Sequence, residues 1–299
     1  MPLDPLAKRL LDMLALSNPK IATAGQRRAG FAQLMAMAGK PGPAMKVENV
    51  TAGDLPLRVY RPSSEAKAAF IFFHGGGLVA GSLDTHDGLC RRLAEAAGVN
   101  VIAVGYRLAP ESKFPSQLND AIEAIDWIHE NSVTLDLDRS RLGLGGESAG
   151  AFLSSLATAS PKLQHIPIKA LLLLCPVVDL ASTSGSRLEF AKGYLIDAET
   201  IAGDIAHCLG PDANPADMPS PLRVTNFAQL PATIIHAAEY DPFRDEAKAL
   251  ADHLRHLGAK VSFTCHEGMV HSFFTMTRFI PQGETALSQI GKELAAALS

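Results

Sequence analysis

A serine between small residues is the strongest chemical signal in the sequence. The pentapeptide Gly146–Gly150 (GESAG) follows the apolar run Arg141 to Gly145 and opens a helical pattern. When a serine occupies a tight turn from a strand into a helix, the positions two residues away must be small, because larger side chains would meet neighbouring backbone. Ser148 is therefore a candidate nucleophile, and free amides at the helix N-terminus would stabilise negative charge there. An ordinary turn of small residues is the alternative.

A glycine loop upstream could hold that negative charge. The segment His74–Gly77 (HGGG) comes directly after the apolar run Ala68 to Phe73. Consecutive glycines allow backbone N–H groups to point toward one oxygen, and the residue after the nucleophile would add a further donor. The predicted oxyanion hole comprises the amides of Gly75, Gly76, Gly77 and Ala149.

A serine nucleophile also needs a base, and hydrolases built on such a turn have the chain order serine, acid, histidine. The histidines late enough in the chain are His253, His256, His266 and His271. The first two lie on a predicted helix and the third lies within a predicted strand. His271 lies in the loop after the last strand, where a side chain can reach over the strand ends. His271 is therefore the predicted base.

The acid that orients this base must precede it in the chain. Asp241 stands just beyond a predicted strand and directly before a proline suited to begin a helix. Its carboxylate would accept from the ring N–H of His271 and leave the other ring nitrogen free to take the Ser148 proton. Glu239 and Asp245 are the competing carboxylates, and Asp245 falls a turn into the predicted helix.

Two other chemistries have weaker sequence support. The pattern Gly75-x-Gly77-x-x-Ala80 fits a degenerate dinucleotide fingerprint, but Gly81 and Ser82 argue against a helix starting there. Three pairs of residues could contribute zinc ligands: His253 with His256, His207 with Cys208, and Cys265 with His266. Each pair lacks a third ligand at a recognisable spacing. The sequence therefore predicts neither a cofactor nor a metal.

Short apolar runs separated by helical patterns make up most of the chain. The runs are Ala68–Phe73, Val99–Tyr106, Arg141–Gly145, Lys169–Leu174, Ala232–Ala238 and Lys260–His266. The helical patterns are Asp84–Ala97, Pro115–Asn131, Ser148–Ala159, Pro242–Leu257 and Gly283–Leu298. This alternation predicts an α/β fold with a mainly parallel sheet between layers of helices. Two earlier runs, Met45–Val50 and Leu55–Pro62, flank a turn and predict an antiparallel start to the sheet.

Two segments break this alternation and divide the chain. Residues 1–44 are predicted to form a helical N-terminal arm, with the helical pattern over Pro2–Ala38. Residues 181–230 are predicted to form a loop-rich insertion with a helical piece around Asp197–Leu209, which leaves 45–180 and 231–299 as the catalytic domain. Apolar side chains of the arm and the insertion suit either an acyl pocket or packing between helices, and they are Phe31, Met35, Met37, Tyr194, Leu195 and Ile201.

Composition and charge exclude several classes of protein. The chain has 299 residues, 47% of them hydrophobic, and a formal net charge of -4. Its basic residues are scattered, so the sequence lacks the basic footprint that nucleic-acid binding requires. The longest clean apolar run, Ala170–Val178, is far short of the roughly 20 residues that cross a bilayer. Charges interrupt the first dozen residues and the cysteines are widely spaced, so we expect no secretory signal, reduced thiols and a cytoplasmic location.

Four separated segments resemble the hormone-sensitive-lipase-like esterases of the α/β-hydrolase superfamily. They are His74–Gly77 with Gly81–Asp87, Tyr106–Glu111, the Ser148 pentapeptide, and Asp241–Glu246 with Gly268–His271. The resemblance runs from about residue 45 to the end of the sequence. It implies an α/β-hydrolase fold in which the arm and the insertion form a helical cap. It also implies a triad of Ser148, Asp241 and His271, an oxyanion hole formed by the glycine amides with Ala149, and His74 as a brace for that loop.

The sequence departs from the family pattern at two positions beside the predicted triad. Glu147 stands where most relatives have Asp, and Ser272 follows His271 where glycine is commoner. Neither change removes a catalytic group. Both could shift loop geometry and hence the preference for pH or acyl group.

The resemblance implies a serine carboxylesterase that hydrolyses small esters with short- to medium-chain acyl groups through an acyl-enzyme. An amidase or arylformamidase on the same scaffold is one alternative. A non-enzymatic receptor for small ligands is another, and it predicts a missing triad histidine, whereas His271 is present. The resemblance also suggests a homodimer that forms through the last predicted strand, Lys260–His266. The alternative is a monomer in which this edge of the sheet is covered.

Overall fold

An eight-stranded sheet forms the centre of the part of the chain that the structure describes, which is residues 1–17, 23–210, 212–225, 227 and 230–299. The strands of this computed structural model are β1 (Lys46–Ala52), β2 (Leu55–Arg61), β3 (Ala69–Phe73), β4 (Asn100–Val104), β5 (Leu142–Glu147), β6 (Ile168–Leu174), β7 (Ala232–Tyr240) and β8 (Val261–Val270). Their order is β1-β2-β4-β3-β5-β6-β7-β8. The pairs β1 with β2 and β2 with β4 are antiparallel, and the other pairs are parallel. The predicted mainly parallel sheet with an antiparallel start is confirmed.

Helices pack against both faces of this sheet. In the described ranges they are α1 (Pro5–Ser17), α2 (Ala24–Ala38), α3 (Asp87–Ala97), α4 (Ser116–Glu130), α5 (Ala149–Thr158), α6 (Gly185–Glu189), α7 (Ala198–Leu209), α8 (Arg244–His256) and α9 (Gln282–Ala297). Short 3-10 turns occur at Pro161–Leu163, Pro215–Asp217, Pro221–Arg223 and Phe273–Thr275. No helix in these ranges has the length and apolar character that a membrane span requires.

The core consists of two clusters, one on each face of the sheet. Successive side chains of a strand point to opposite faces, and in β3 the side chain of Ile71 joins one cluster while Phe70 and Phe72 join the other. Helices α4, α5 and α8 cover the face of Ile71, and α3 and α9 cover the face of Phe70. Burial of each such side chain contributes about 1.5–3 kcal/mol. Because both faces are covered, β3, β4 and β5 are buried along their whole length.

The predicted helical N-terminal arm contains the two helices α1 and α2. A capping box begins α2, in which the Thr23 hydroxyl accepts from the Gln26 N–H and the Gln26 side chain accepts from the Thr23 N–H. The predicted helical piece of the insertion corresponds to α7, and sequence analysis missed the short helix α6. Positions 18–22 of the arm and positions 211, 226, 228 and 229 of the insertion lie outside the described residues.

The last strand is longer than the sequence pattern predicts. The apolar run ends at His266, whereas β8 continues to Val270. Its pairing with β7 shifts between Ala238 and Tyr240, and Gly268 adopts a φ of +70° within this irregular stretch. Glycine tolerates that conformation without a steric penalty, so pairing resumes beyond the irregularity. The extension brings the chain to the carboxyl edge of the sheet just before His271.

Candidate active site

Ser148 occupies the sharp turn between β5 and α5. Its φ of +55° and ψ of −116° are unusual for a residue with a side chain. A Cβ on Gly146 would overlap the backbone of Gly150, and a Cβ on Gly150 would overlap the carbonyl of Phe73. The flanking glycines therefore allow β3, β5 and α5 to approach closely and hold the serine at the end of its strand.

A continuous chain of hydrogen bonds joins Ser148 to His271 and Asp241. Oγ of Ser148 lies 3.0 Å from Nε2 of His271, and Nδ1 of His271 lies 2.8 Å from Oδ2 of Asp241. All three residues are buried. A carboxylate only accepts, so Nδ1 carries the proton toward Asp241 and Nε2 is free to accept from the serine hydroxyl. Sequence analysis predicted these three residues, and the structure brings them together.

Two features define the electrostatics of this group. The other carboxylate oxygen of Asp241 accepts from the Phe243 N–H at 2.8 Å, which fixes the acid at the start of the loop before α8. Burial opposes the charged form of His271, but the charge and hydrogen bond of Asp241, helped by the charge of Glu147, raise the pKa of His271 above its ordinary value. The imidazole is thereby prepared to accept a proton.

The competing residues have other partners. Glu239 accepts from the amino group of Met1 and from the Gly268 N–H, and Asp245 accepts from the Ser186 N–H. Among the other late histidines, His253 contacts the Val224 carbonyl, His266 contacts His236, and His256 is exposed. These contacts place each of them away from the Ser148 hydroxyl.

The glycine loop lies over Ser148 with one change from the expectation. Gly76 and Gly77 line the cavity together with Ala149, and their φ values of +119° and +67° favour glycine. The N–H of Gly75 instead lies 3.4 Å from Nε2 of His86, to which it donates. The structure therefore points the Gly75 amide at a histidine, while the next two glycines line the cavity.

His74, which the resemblance implied as a brace, contacts this loop. Its Nδ1 lies 2.8 Å from the Gly75 carbonyl, and its ring stacks on Tyr106 with 4.3 Å between ring centres. The Tyr106 hydroxyl donates to the His74 carbonyl at 2.7 Å. Burial lowers the pKa of His74 to about 3, with the nearby charge of His86 acting in the same direction. The ring is therefore neutral and can donate Nδ1–H to the loop.

A cavity of about 140 Å³ opens above Ser148, between the sheet and the helices α2 and α7. The apolar side chains around it that sequence analysis singled out are Phe31, Met35, Leu195 and Ile201. Met37 and Tyr194, the other two residues singled out, lie elsewhere. Met37 packs against the core, and Tyr194 stacks near Tyr240 with 5.7 Å between ring centres. Further apolar walls come from Leu78, Phe152, Val177, Leu180, Ile196, Ile205 and Phe243.

An ion pair closes one side of this cavity. Nη2 of Arg27 lies 3.1 Å from Oδ2 of Asp204, and the two side chains are 10% and 11% exposed. Asp204 lies so close to Gly77 that a Cβ there would overlap its carboxylate. The pair joins α2 to α7 across 177 residues of sequence beside the glycine loop.

One group of side chains in the described residues has the spacing of metal ligands. Donor atoms of Cys175, Asp241 and His271 lie within 4.8 Å of one another. His271 and Asp241 are already hydrogen-bonded to each other, and burial raises the pKa of the Cys175 thiol well above its ordinary value. A protonated thiol is a poor ligand, so this group is better suited to proton transfer than to binding a metal.

Comparison with known proteins identifies the family. A family model described as alpha/beta hydrolase fold matches residues 70–275. An ethyl acetate hydrolase of Pseudomonas putida is 35% identical over an alignment that covers 80% of this chain and 78% of that protein. An arylesterase of Saccharolobus solfataricus is 30% identical over 98% of this chain and 99% of its own length. The chain belongs to the hormone-sensitive-lipase-like carboxylesterases of the α/β-hydrolase superfamily.

Solved structures of ester hydrolases resemble this carboxylesterase closely. An ester hydrolase from the metagenome of Lake Arreo superposes with a TM-score of 0.91 at 32% identity, over 98% of each chain. A hyperthermophilic esterase from the archaeon Pyrobaculum calidifontis superposes with a TM-score of 0.89 at 31% identity, over 100% of each chain. The predicted fold, family and enzyme class are confirmed, and the protein is a carboxylic ester hydrolase.

Two features of the esterase's site were not recognised from sequence. The ion pair of Arg27 and Asp204 joins residues with no sequence pattern in common. Glu147 and Ser272 were noted only as departures from the family pattern, yet the Ser272 hydroxyl donates to the Glu147 carboxylate beside His271. The signal for that contact was present, because both departures flank predicted triad residues.

Proposed function

We propose that this carboxylesterase hydrolyses its substrates through a covalent acyl-enzyme on Ser148. Its Oγ attacks the ester carbonyl carbon while Nε2 of His271 takes the hydroxyl proton, and Asp241 stabilises the imidazolium that forms. The tetrahedral intermediate then expels the alcohol, which leaves with the proton from His271. Water repeats both steps and releases the acid. The observation that carries this proposal is the buried chain of hydrogen bonds from Ser148 through His271 to Asp241.

We assign the oxyanion hole to the amides of Gly76, Gly77 and Ala149. These residues line the cavity beside the nucleophile, and the helix that begins at Ala149 presents its N-terminus to the same place. Gly75 belongs to the same loop, but its N–H donates to His86, so its role is to shape the loop. Loss of one oxyanion donor typically costs about 2.7–4 kcal/mol of transition-state stabilisation.

The cavity supports short acyl groups as substrates. Its volume of about 140 Å³ is close to that of an engineered cavity of about 150 Å³ that admits benzene. Its walls are mainly apolar, and similarity to an ethyl acetate hydrolase points to small esters as well. An acyl chain much longer than a benzene ring would have to displace the walls formed by α2 and α7.

A panel of p-nitrophenyl esters from acetyl to dodecanoyl tests both parts of this proposal. We expect kcat/KM to be highest for short chains and to fall once the acyl group exceeds the cavity. Ser148→Ala should abolish turnover, and Ser155→Ala is a matched control because its hydroxyl lies on the same helix and donates to the Ala151 carbonyl. Undiminished hydrolysis by Ser148→Ala would refute the acyl-enzyme, whereas equal rates for all chain lengths would refute only the size limit. An anilide of the best acyl group separates ester from amide hydrolysis.

We also propose that residues 1–44 and 181–230 form a cap on the catalytic domain of residues 45–180 and 231–299. Cavity walls from α2 and α7, and the Arg27–Asp204 ion pair between these helices, support this division.

A reducing compartment such as the cytoplasm is our proposal for the location, because the four cysteines are unpaired. The strand β8 lies at the end of the strand order, which supports an edge-to-edge homodimer that light scattering would test.

A further inference from the structure

A second carboxylate lies beside the base of the triad. Oε1 of Glu147 is 3.7 Å from Nε2 of His271, the nitrogen that receives the serine proton. Asp241 contacts the other ring nitrogen, so the imidazole lies between two buried carboxylates. We propose that Glu147, held by Ser272, is a positioning residue that stabilises the imidazolium formed on His271 during catalysis. The proposal rests on the proposed function of His271 as the base.

The position of the Glu147 carboxylate is fixed on several sides. Glu147 is the last residue of β5 and is 2% exposed. Oε2 lies 3.4 Å from Nε2 of His86, and Oε1 accepts from the Ser272 hydroxyl. A Cβ on Gly75 would overlap the same carboxylate, so the glycine loop packs directly on it. These contacts hold a negative charge at one place beside the reacting nitrogen.

The backbone of Ser272 is an independent indication of this role. Ser272 adopts φ +55° and ψ +22°, a left-handed conformation that glycine reaches freely and that a residue with a Cβ reaches only at a cost. The side chain is nevertheless present, and its hydroxyl donates to Glu147. The Thr275 hydroxyl donates to the Ser272 carbonyl at 2.8 Å and fixes the turn. A strained residue whose hydroxyl meets a buried carboxylate is expected where that contact serves the site.

The charge of Glu147 changes the pKa of His271 in a definite direction. Burial disfavours a charged carboxylate, yet the contacts with His86, His271 and Ser272 lower the pKa of Glu147 below its ordinary value. The charge of Glu147 in turn raises the pKa of His271, whereas that of Arg187 lowers it. Glu147 therefore offsets the effect of a nearby cation on the base. The titratable and charged groups that face this pair of residues are Asp241, Arg187, Cys175, His86, His74 and Tyr106.

Glu147→Gln tests the proposal because it keeps the shape of the side chain and removes its charge. We expect kcat for a p-nitrophenyl ester to fall roughly tenfold, which corresponds to about 1.4 kcal/mol of lost imidazolium stabilisation. We also expect the acidic limb of kcat/KM to move to lower pH, since the base loses a charge that favours its protonated form. KM should change little, because Glu147 acts on the base.

Four further variants complete the test. Glu147→Asp retains the charge and should leave the acidic limb near that of the unmodified enzyme. Ser272→Gly removes the hydroxyl but relieves the strained backbone, so it should stay folded and move the limb in the same direction by a smaller amount. The double variant of Glu147→Gln and Ser272→Gly should be no slower than Glu147→Gln alone, because both act through one contact. Glu267→Gln, the same change at an exposed position on β8, should alter nothing.

The outcome separates this proposal from the proposed function. An acidic limb that stays at its original pH in both Glu147→Gln and Ser272→Gly would overturn the role of Glu147, even if activity falls. If circular dichroism shows that Glu147→Gln does not fold, the pH of the acidic limb in Ser272→Gly decides whether Glu147 has this role. Activity that survives Ser148→Ala would instead overturn the acyl-enzyme.

Discussion

Removal of Arg27 from the ion pair with Asp204 should destabilise the enzyme measurably. Nε and Nη2 of Arg27 lie 3.2 and 3.1 Å from the two carboxylate oxygens of Asp204, and both side chains are nearly buried. Burial raises the pKa of Asp204 although the charge of Arg27 opposes that shift. Arg27→Met therefore leaves a buried carboxylate without its cation, beside the glycine loop.

The expected magnitude follows from the burial of the pair. Removal of one partner from a buried ion pair costs about 3–5 kcal/mol. The two side chains keep 10% and 11% exposure, so partial hydration places the loss near the lower end, at about 3 kcal/mol. For a chain of this length each kcal/mol corresponds to roughly 2 °C in Tm, so we expect Arg27→Met to lower Tm by about 6 °C.

Replacement of both partners should restore stability. The double variant of Arg27→Met and Asp204→Leu leaves an apolar contact in place of two charges, and such replacements are often neutral or stabilising. Urea unfolding of the unmodified enzyme, the two single variants and the double variant gives the coupling energy directly. Lys8→Met is a control, because its partner Asp12 and Lys8 are each 63% exposed and their pair should contribute less than about 0.5 kcal/mol.

Two results would refute this reasoning. A loss in Arg27→Met no larger than that in Lys8→Met would mean that water screens the pair as it does a surface contact. A double variant that loses the sum of the two single losses would mean that the two side chains act independently.

The other predictions concern the glycine loop, the serine turn and the contact between His236 and His266. Tyr106→Phe leaves the buried His74 carbonyl without its donor, so the free energy of unfolding should fall by about 1–3 kcal/mol in urea, and a change within about 0.5 kcal/mol would contradict the proposed brace. Gly150→Ala places a Cβ against the Phe73 carbonyl, so both Tm and kcat should fall, and an unchanged Tm would show that α5 can move without cost. Burial lowers the pKa of His266 from 6.5 to about 4, so the unfolded chain binds more protons in this range and stability should fall as the pH decreases through it. His266→Asn should weaken that pH dependence, measured by urea unfolding at neutral and acidic pH, and an equally steep decrease would assign it to other groups.

The sequence predicted the residues of the proposed triad because they share a simple placement. Ser148, Asp241 and His271 each follow a strand, and parallel strands bring their carboxyl ends to one edge of the sheet. Chain order and the loops after the strands were therefore enough to choose Asp241 over Glu239 and Asp245. The same information predicted the sheet, since the apolar runs of buried parallel strands are long and bounded by polar residues.

The remaining features depend on contacts that no local pattern encodes. The orientation of the Gly75 amide depends on His86, which reaches it from the N-terminus of α3. Arg27 meets Asp204 only because α2 and α7 pack over the same strand ends. Met37 and Tyr194 share the apolar character of the cavity residues, and only the packing of their helices and loops directs them elsewhere. An apolar residue that lines a cavity and one that lies behind the cavity wall have the same sequence pattern, so the sequence does not distinguish them.

The cavity walls and the proposed triad belong to different parts of the chain, which has a consequence for how substrate preference can evolve. The residues of the proposed triad follow the ends of strands in the sheet, while Phe31, Met35, Leu195 and Ile201 belong to segments outside it. Under the proposed function, drift or recombination in those segments would change which esters are accepted without altering bond cleavage. Chimeras that exchange α2 or α7 between relatives should inherit the selectivity of the donor and the chemistry of the recipient, provided that residues 27 and 204 are exchanged together.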